Sequence, residues 1–324
     1  MELSCMLLPG PGTVEQARVA EASGYSRVWL SDSPAFYRDV WMTLAEVAEH
    51  TNTIGLGPAV LVPSLRHVVT QAAAVATLET LAPGRAVVAV GTGFTGRMAL
   101  GHRPMPWAEV ADYVAAMRAL LAGDDAEVEG RRVRLMQPDG YVVDRPAGVP
   151  ILVAANGPKG LAVAHERGDG VMTIGGGQPD FDWCAALTLG TVLSDGEPAD
   201  SPRVAEAVGP GLVALYHGAY EAGSAEFFPG GEEWAATVDQ IPEATRHLEL
   251  HAEHLVTVTE RDAALVDASV ITDFTWTGTP DELAARAAAA ADDGVTEVLY
   301  APGGPDPLGE LVRFAGALSG VVGS

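Results

Sequence analysis

Three histidines lie close together in the stretch RHLELHAEHL, where His247, His251 and His254 are spaced i, i+4 and i+7. On a helix this spacing places the imidazoles on one face. Such a face could bind zinc, because imidazole is a common zinc ligand. We favour instead a solvated or inter-subunit face and predict no metal site. A third interpretation is that His254 or His251 donates a proton in catalysis, because the ordinary pKa of imidazole suits that role. Of the candidate donors in this chain we favour these two histidines.

A glycine-rich stretch, AVVAVGTGFTG at 86–96, contains three glycines in a G-x-G-x-x-G spacing after an apolar run. In dinucleotide-binding folds this loop opens the first βαβ unit, and an acidic residue ends the next strand. Here it follows the fourth predicted strand, and no such acid is in place. We therefore predict a loop at the carboxyl end of a sheet, where a flat ring or its substrate approaches the backbone at Thr92 and Gly93.

Tyr37 and Arg38 lie in the loop after the second predicted strand, on the face where barrel enzymes carry their active sites. They are either contacts to an anionic cofactor or substrate, or loop anchors, and Tyr37 is also a candidate proton donor. Lysine occurs once, at Lys159. An anionic cofactor must therefore be held mainly by arginine, backbone amides and helix N-termini.

The elements that must position these residues repeat one pattern: an alanine-rich helix, a turn with glycine, and a short apolar strand. Glycine can take the left-handed conformation that ends such helices, and the apolar runs are typical of strands buried on both faces of a parallel sheet. We predict eight strands, at 2–8, 27–31, 53–60, 86–91, 150–155, 170–174, 207–215 and 295–301. We predict helices that begin near 13, 39, 67, 106, 158, 180, 279 and 306.

Eight strand-helix pairs without a strong linker predict an α/β fold, a (β/α)8 TIM barrel that spans 1–324 as a single domain. Residues 122–149 are expected to form a polar hairpin excursion, and about 216–272 a helical insertion over the carboxyl face of the barrel. The last barrel helix has a full start signal, with Thr279 as N-cap, Pro280 as the first helical residue and Glu282 closing a capping box.

Composition limits the classes of partner. The formal net charge is −24, which opposes binding to nucleic acid or to an anionic membrane surface. No apolar stretch is long enough to span a bilayer, and the N-terminus does not have the pattern of a signal peptide. Two cysteines, Cys5 and Cys184, fall in apolar segments and are expected to be buried free thiols. These features favour a cytoplasmic protein with a small-molecule substrate.

Three long blocks, in this order, resemble the luciferase-like flavin- and deazaflavin-dependent oxidoreductases, in particular the methylenetetrahydromethanopterin reductase-like proteins of actinobacteria. They are SDSPAFYRDVWMTLAEVAEHTNTIGLGPAVLVPSLRHVVTQAAAVATLETLAPGRAVVAVGTG, PILVAANGPKGLAVAHERGDGVMTIGGG and TWTGTPDELAARAAAAADDGVTEVLYAP. The similarity covers nearly the whole chain apart from the hairpin and 178–206. It implies the same barrel fold, a homodimer, and a deazaflavin (coenzyme F420) or FMN as cofactor.

The resemblance also implies particular contacts to the cofactor. Asp32 matches an acidic residue that hydrogen-bonds the ring or its side chain, and Ala59–Val60 matches a non-prolyl cis peptide behind the ring. The remaining positions match backbone contacts at the ring edge and near the ribityl chain and phosphate: Asn156, Gly157, Pro158, Ile174, Gly175 and Gly176. Histidine-rich helices similar to the one at 247–254 also occur in related reductase-like sequences.

Two positions depart from the family's sugar-phosphate dehydrogenases. Ser33 stands where those enzymes have an acid-base histidine, and Phe94 where they have a catalytic glutamate. Both positions become expected parts of the substrate pocket, and Phe94 provides an apolar wall. The sequence therefore predicts hydride transfer between reduced F420 and a small organic acceptor with a C=C, C=N or C=O bond. The alternatives are an FMN-dependent luciferase-like monooxygenase and a catalytically silent flavin-binding protein.

Overall fold

The computed structural model describes residues 1–323, which contain ten strands and twelve α-helices. The strands are β1 (Glu2–Leu7), β2 (Arg27–Leu30), β3 (Gly55–Pro58), β4 (Val88–Val90), β5 (Ala126–Val128), β6 (Arg131–Val133), β7 (Ile151–Ala154), β8 (Gly170–Ile174), β9 (Cys184–Leu189) and β10 (Glu297–Ala301). The helices are α1 (Thr13–Ala22), α2 (Val40–His50), α3 (Val68–Leu81), α4 (Phe94–Met98), α5 (Trp107–Ala122), α6 (Pro158–Arg167), α7 (Pro202–Ala222), α8 (Gly231–Val238), α9 (Glu243–Leu250), α10 (Ala268–Phe274), α11 (Pro280–Asp292) and α12 (Pro307–Leu318).

Eight strands form one parallel sheet, in the order β3-β2-β1-β10-β9-β8-β7-β4. Its two end strands, β3 and β4, meet and close the barrel along a seam. Parallel bridges join Leu56 to Ala86 and Leu61 to Val90 across it. At Gly57 a Cβ atom would lie 2.1 Å from the carbonyl oxygen of Val87, so the strands approach this closely only because the residue is glycine. The predicted (β/α)8 TIM barrel is confirmed.

The barrel strands are buried on both faces, as their apolar composition predicts; β4 and the first four residues of β8 have no exposed position. Left-handed glycines follow α1 and α11, with φ of +84° at Gly24 and +93° at Gly294. Gly168 ends α6 differently, in an extended conformation. It is required for close packing, because a Cβ there would lie 2.8 Å from the carbonyl oxygen of Gly170. Both cysteines are buried free thiols.

Two predicted elements are wrong. Residues 207–215 are not a strand but the middle of α7, and no helix begins near 180 because the seventh barrel strand, β9, lies there. The stretch AVGPGLVALY has the length and apolarity of a buried strand, and it contains Pro210, which opposes a helix in isolation. Ten residues of α7 are nevertheless buried, so tertiary packing decides the conformation.

Between β9 and α11 the chain forms α7–α10, a helical segment with its own apolar cluster that includes Tyr216, Trp234 and Leu250. Helix begins here at Pro202, earlier than the expected insertion at about 216–272. Within 122–149, β5 and β6 pair as an antiparallel hairpin. The organisation of 1–324 as one domain stays a prediction.

The predicted start of α11 is confirmed: Thr279 accepts from the amide of Glu282, and the Glu282 side chain accepts from the amide of Thr279. At the opposite, amino end of the barrel, Glu297 is buried and accepts hydrogen bonds from the indoles of Trp29 (3.0 Å) and Trp183 (2.8 Å). Arg27 also pairs with Glu297 at 2.6 Å, so the amino end of the barrel is held by a polar cluster. None of the helices in the described part is long and apolar enough to cross a membrane.

Candidate functional site

A cavity of about 490 Å³ lies between the carboxyl ends of the barrel strands and α7. Its wall is largely apolar and includes Met6, Leu187, Leu215 and Trp276. Four of the predicted site residues line it: Phe94, Ile174, Gly175 and His254. The site therefore lies at the face where barrel enzymes place their chemistry, and its walls suit a flat, weakly polar ring system.

A glycine cradle, which we define as Gly157, Gly175 and Gly176, opens beside this cavity. A Cβ atom added at any of the three would meet no atom within 4 Å. Asn156 joins the two loops that carry these glycines, because its side chain donates to the carbonyl oxygen of Ile174 and accepts from the amide of Ile174, both at 3.1 Å. The cradle thus presents uncovered main chain to whatever occupies the mouth.

The amino end of α6 adjoins the cradle. Gly157 is its N-cap and gives no side-chain cap, and Pro158 is its first residue. Uncapped amides at a helix start favour an anion, and the single lysine, Lys159, is exposed in the same turn. These residues fit the phosphate-bearing side chain of a flavin-like cofactor.

The predicted cis peptide between Ala59 and Val60 is present. Ala59 is buried, and its amide donates to the carbonyl oxygen of Leu30 at 2.8 Å. Val60 packs closely on Gly91, where a Cβ would lie 2.9 Å from Val60 Cγ2. Residues 59 and 60 therefore connect the seam of the barrel to the floor of the mouth, and their contact with a cofactor stays a prediction.

Asp32 is buried and ion-paired, which the sequence did not predict. One guanidinium nitrogen of Arg66 donates to both carboxylate oxygens of Asp32 at 2.7 Å, and the other donates to Asp39 at 2.6 Å. Burial raises the pKa of Asp32, against the effect of Arg66. Asp39 in turn caps α2 through the amides of Trp41 and Met42. Arg66 follows β3 and Asp32 follows β2, so both residues lie at the carboxyl end of the barrel. This shared position is the signal in the sequence from which the ion pair could have been predicted.

The other loop residues have separate surroundings. Ser33 is buried, and its hydroxyl oxygen lies 3.6 Å from where a Cβ of Gly96 would be. Arg38 is exposed. Gly93 has a φ of +78° and caps α4. Thr92 is half-buried, and its carbonyl oxygen accepts from the amide of Met105 at 2.9 Å. None of these four is among the residues that line the cavity in the described chain.

The histidines are not arranged as one helix face, which corrects the prediction. Helix α9 ends at Leu250, so His251 follows its end and His254 lies in the turns beyond. His247 points elsewhere, towards Gly101. His217 of α7 joins the other two instead: the ring centroids are 5.3 Å apart for His251–His254, 5.7 Å for His217–His251 and 6.0 Å for His217–His254. We call His217, His251 and His254 the histidine trio.

His217 was not among the predicted site residues, because it closely follows 207–215, the stretch predicted to be a strand. All members of the trio are buried. Nε2 of His217 lies 3.3 Å from Asp262, and Nε2 of His251 lies 2.7 Å from Glu221. His254 lines the cavity, and burial lowers its pKa to about 3, helped by the neighbouring imidazoles.

Tyr37 also belongs to this region. Its hydroxyl donates to the carbonyl oxygen of His254 at 2.7 Å, and burial raises its pKa. Neither Tyr37 nor His251 is among the cavity-lining residues of the described chain. Of the three predicted proton donors, only His254 therefore reaches the cavity, and it is neutral at physiological pH.

The chain matches a known protein family over most of its length. The family described as luciferase-like monooxygenase matches residues 9–297. The chain belongs to this family. The resemblance predicted from the three sequence blocks is confirmed.

Two curated relatives are named for F420 or methanopterin chemistry. A 5,10-methylenetetrahydromethanopterin reductase of Methanolobus tindarius is 28% identical over 302 residues, which are 90% of this chain and 90% of the relative. An F420-dependent glucose-6-phosphate dehydrogenase of Mycobacterium avium is 35% identical over 215 residues, 60% of this chain and 62% of that relative. The match to the dehydrogenase thus covers less than two thirds of it.

A solved structure shows the same fold. The coenzyme F420 dependent tetrahydromethanopterin reductase from Methanopyrus kandleri superimposes with a TM-score of 0.72 at 20% identity, and the alignment covers 98% of both chains. The alignment thus includes both the barrel and the helical segment α7–α10.

Proposed function

We propose that this protein transfers hydride between reduced coenzyme F420 and a small organic acceptor with a C=C, C=N or C=O bond. The proposal rests on one observation: the apolar cavity and the glycine cradle meet at Ile174 and Gly175. Both residues line the apolar cavity and also belong to the open loop that carries the glycine cradle. One site thus offers apolar walls for a ring and, beside them, open space over glycines where its anionic side chain can lie.

F420 is preferred to FMN because the relatives named above are an F420-dependent dehydrogenase and a methylenetetrahydromethanopterin reductase. When bound, the deazaflavin supplies the hydride. Asn156–Pro158 and Ile174–Gly176 would hold the cofactor through main-chain groups, Thr92 and Gly93 would border the ring, and Ala59–Val60 would lie behind it. Asp32 would act through Arg66, which it holds at the mouth.

The residues that face the acceptor favour an apolar molecule. Phe94, Leu187 and Leu215 form apolar walls, and walls of this kind keep bulk water away from the transfer step. Ser33 and Arg38 would border the entrance. Sugar phosphates fit poorly, because Ser33 and Phe94 stand where the family's sugar-phosphate dehydrogenases have their acid-base histidine and catalytic glutamate.

The proton required with the hydride has few sources in this site. Tyr37 donates its hydroxyl hydrogen to a main-chain carbonyl, and His251 is hydrogen-bonded to Glu221. His254 has the right position, but a neutral imidazole is a poor acid near neutral pH. We therefore assign the proton to solvent that enters with the acceptor. We also propose that the protein is a cytoplasmic homodimer. Size-exclusion chromatography with light scattering measures its oligomeric state.

Titration of the purified protein with F420 and with FMN, followed by fluorescence, tests the cofactor. We expect tighter binding of F420; tighter binding of FMN would favour a flavin-dependent monooxygenase, and binding of neither would favour a silent protein. In Gly176→Val a side chain fills the cradle, so F420 affinity should fall by at least about tenfold without loss of stability. Gly148→Val is the matched control, because Gly148 also meets no atom within 4 Å and lies in the distant hairpin segment.

A further inference from the structure

We propose that the histidine trio, His217, His251 and His254, binds a divalent first-row transition-metal ion, with Zn²⁺ as the expected occupant. One ring nitrogen of each histidine lies within 4.8 Å of one ring nitrogen of each of the others. Hydride transfer by a deazaflavin needs no metal, so this site is an addition to the proposed function and does not depend on it.

The ring nitrogens divide into two sets. Nε2 of His217 and of His251 is used by a carboxylate, Asp262 and Glu221 respectively. Nδ1 of all three histidines is buried and has no hydrogen-bond partner within residues 1–323. Buried polar atoms without a partner are costly and few in folded proteins. Three of them in one cluster indicate a ligand that accepts three nitrogen lone pairs.

Asp262 and Glu221 contact two of the histidines in the way that outer carboxylates do in known metal sites. A metal-ligating histidine usually donates its other ring N–H to a carboxylate, which fixes the tautomer and directs the remaining nitrogen at the metal. Asp262 is itself fixed by Trp234 Nε1 (2.9 Å), by Thr259 (2.8 Å) and by Arg261 (2.7 Å). The tautomer with the proton on Nε2 leaves Nδ1 as the free ligand atom of His217 and His251.

Aromatic neighbours hold two of the imidazoles in place. Trp234 stacks on His217 with ring centroids 5.7 Å apart and an angle of 9° between the planes. Phe36 stacks on His254 at 5.4 Å and 28°. All three histidines are at least nine-tenths buried, with exposures of 2% for His217, 1% for His251 and 6% for His254. Preorganised rings of this kind lose little freedom when they bind an ion.

Distance and charge are both compatible with zinc. With Zn–N bonds of about 2.1 Å, the nitrogens of a tetrahedral site are about 3.4 Å apart, so closure from 4.8 Å needs an inward movement of about 1.4 Å at most. The charged groups in contact with the trio are Glu221 and Asp262, and Arg261 is paired with Asp262. The net negative balance of these three groups favours a cation.

Three histidines leave a fourth position open, as in zinc sites that bind water or a substrate atom. His254 is the member of the trio that also lines the apolar cavity. The ion would therefore lie next to the cavity wall, within the helical segment that covers the barrel mouth.

Direct metal binding tests the site. The full-length chain is produced without a histidine tag, stripped with a chelator and titrated with Zn²⁺ by calorimetry. Co²⁺ is then used as a spectroscopic probe of tetrahedral nitrogen coordination. We expect one ion per chain and a rise in melting temperature that grows with Zn²⁺ concentration, because an ion that binds only the folded state stabilises it. No binding to the parent protein overturns the proposal.

Variants then identify the ligands. His254→Gln should weaken Zn²⁺ binding by at least about 100-fold, and Glu221→Gln, which changes only an outer carboxylate, by about 10- to 100-fold. His247→Gln is the matched control and should bind as the parent does, because His247 is close in sequence but lies outside the trio. Parent-like affinity in both His254→Gln and Glu221→Gln, or loss of binding in His247→Gln, overturns the assignment of ligands.

Discussion

Replacement of Arg66 by methionine is the sharpest test of how the mouth of the barrel is held. Arg66 makes three charge-assisted hydrogen bonds, two to Asp32 and one to Asp39. The Asp32 side chain is 1% exposed and that of Arg66 16%, so the pair is screened little by solvent. Methionine keeps much of the arginine stem and removes the charge, which leaves the Asp32 carboxylate buried without a cationic partner.

The size of the effect follows from that uncompensated charge. Breaking a buried ion pair by removal of one partner costs about 3–5 kcal/mol. The bond to Asp39 adds little, because the Asp39 side chain is 40% exposed and such pairs contribute about 1 kcal/mol or less. We therefore expect Arg66→Met to lower the free energy of unfolding by about 3–5 kcal/mol at neutral pH. Arg66→Met with Asp32→Asn should recover about 2 kcal/mol or more, because no charge is then left buried.

The dependence on pH has a defined sign. Burial raises the pKa of Asp32, so its folded-state pKa lies above the unfolded value. The cost of the buried carboxylate is present above the folded-state pKa and disappears as the pH falls towards the unfolded value, about 4. The deficit of Arg66→Met should accordingly shrink on acidification from pH 7.

A double-mutant cycle measures these free energies of unfolding. The parent, Arg66→Met, Asp32→Asn and the double variant are unfolded in urea, and unfolding is followed by tryptophan fluorescence. A loss below about 1 kcal/mol for Arg66→Met, with no recovery in the double variant, would refute the reasoning. Asp32 would then be an ordinary loop residue that tolerates loss of its partner.

Three further predictions concern the seam, a helix start and the cavity. Gly57→Ala should lower stability by about 1–3 kcal/mol or more, since its Cβ would lie 2.1 Å from a main-chain oxygen; Gly148→Ala, in open space, is the control in thermal melts. Thr279→Ala should cost about 1 kcal/mol through loss of the capping box, and Thr279→Ser should retain most of it in the same melts. Phe94→Glu should raise the KM for an apolar acceptor by at least about tenfold and leave F420 affinity nearly unchanged. Unchanged KM in steady-state assays would remove Phe94 from the substrate wall.

Most of the barrel was predictable because local patterns and tertiary structure agree there. Strands such as β7 and β8 are short apolar runs buried on both faces, and α11 carries its own start signal. The prediction failed around β9. This strand, CAALTL, has little β-branched character, and α7 begins after it with a longer run of apolar residues. Burial of ten residues of α7 is a tertiary effect that single-sequence patterns do not contain.

The candidate site was predicted in part for the same reason. Residues that follow strands, such as Asn156 and Gly175, are placed by the barrel itself, so knowledge of the fold places them too. The Arg66–Asp32 pair joins residues 34 positions apart along the chain, and His217 lies 34 positions before His251 and 37 before His254. Those contacts depend on how the loops and helices pack, and no spacing in the sequence encodes them.

The seam between β3 and β4 has a consequence for motion. It rests on few main-chain hydrogen bonds, among them the amide of Leu61 to Ala89 (2.7 Å) and the amide of Gly91 to Leu61 (3.2 Å). Local opening concentrates where such bonds are few, so these amides should exchange with deuterated solvent faster than those of β1 and β10. A ligand seated on Val60 and Gly91 would bind only the closed seam and slow that exchange. The barrel would then be most tightly closed when its mouth is filled.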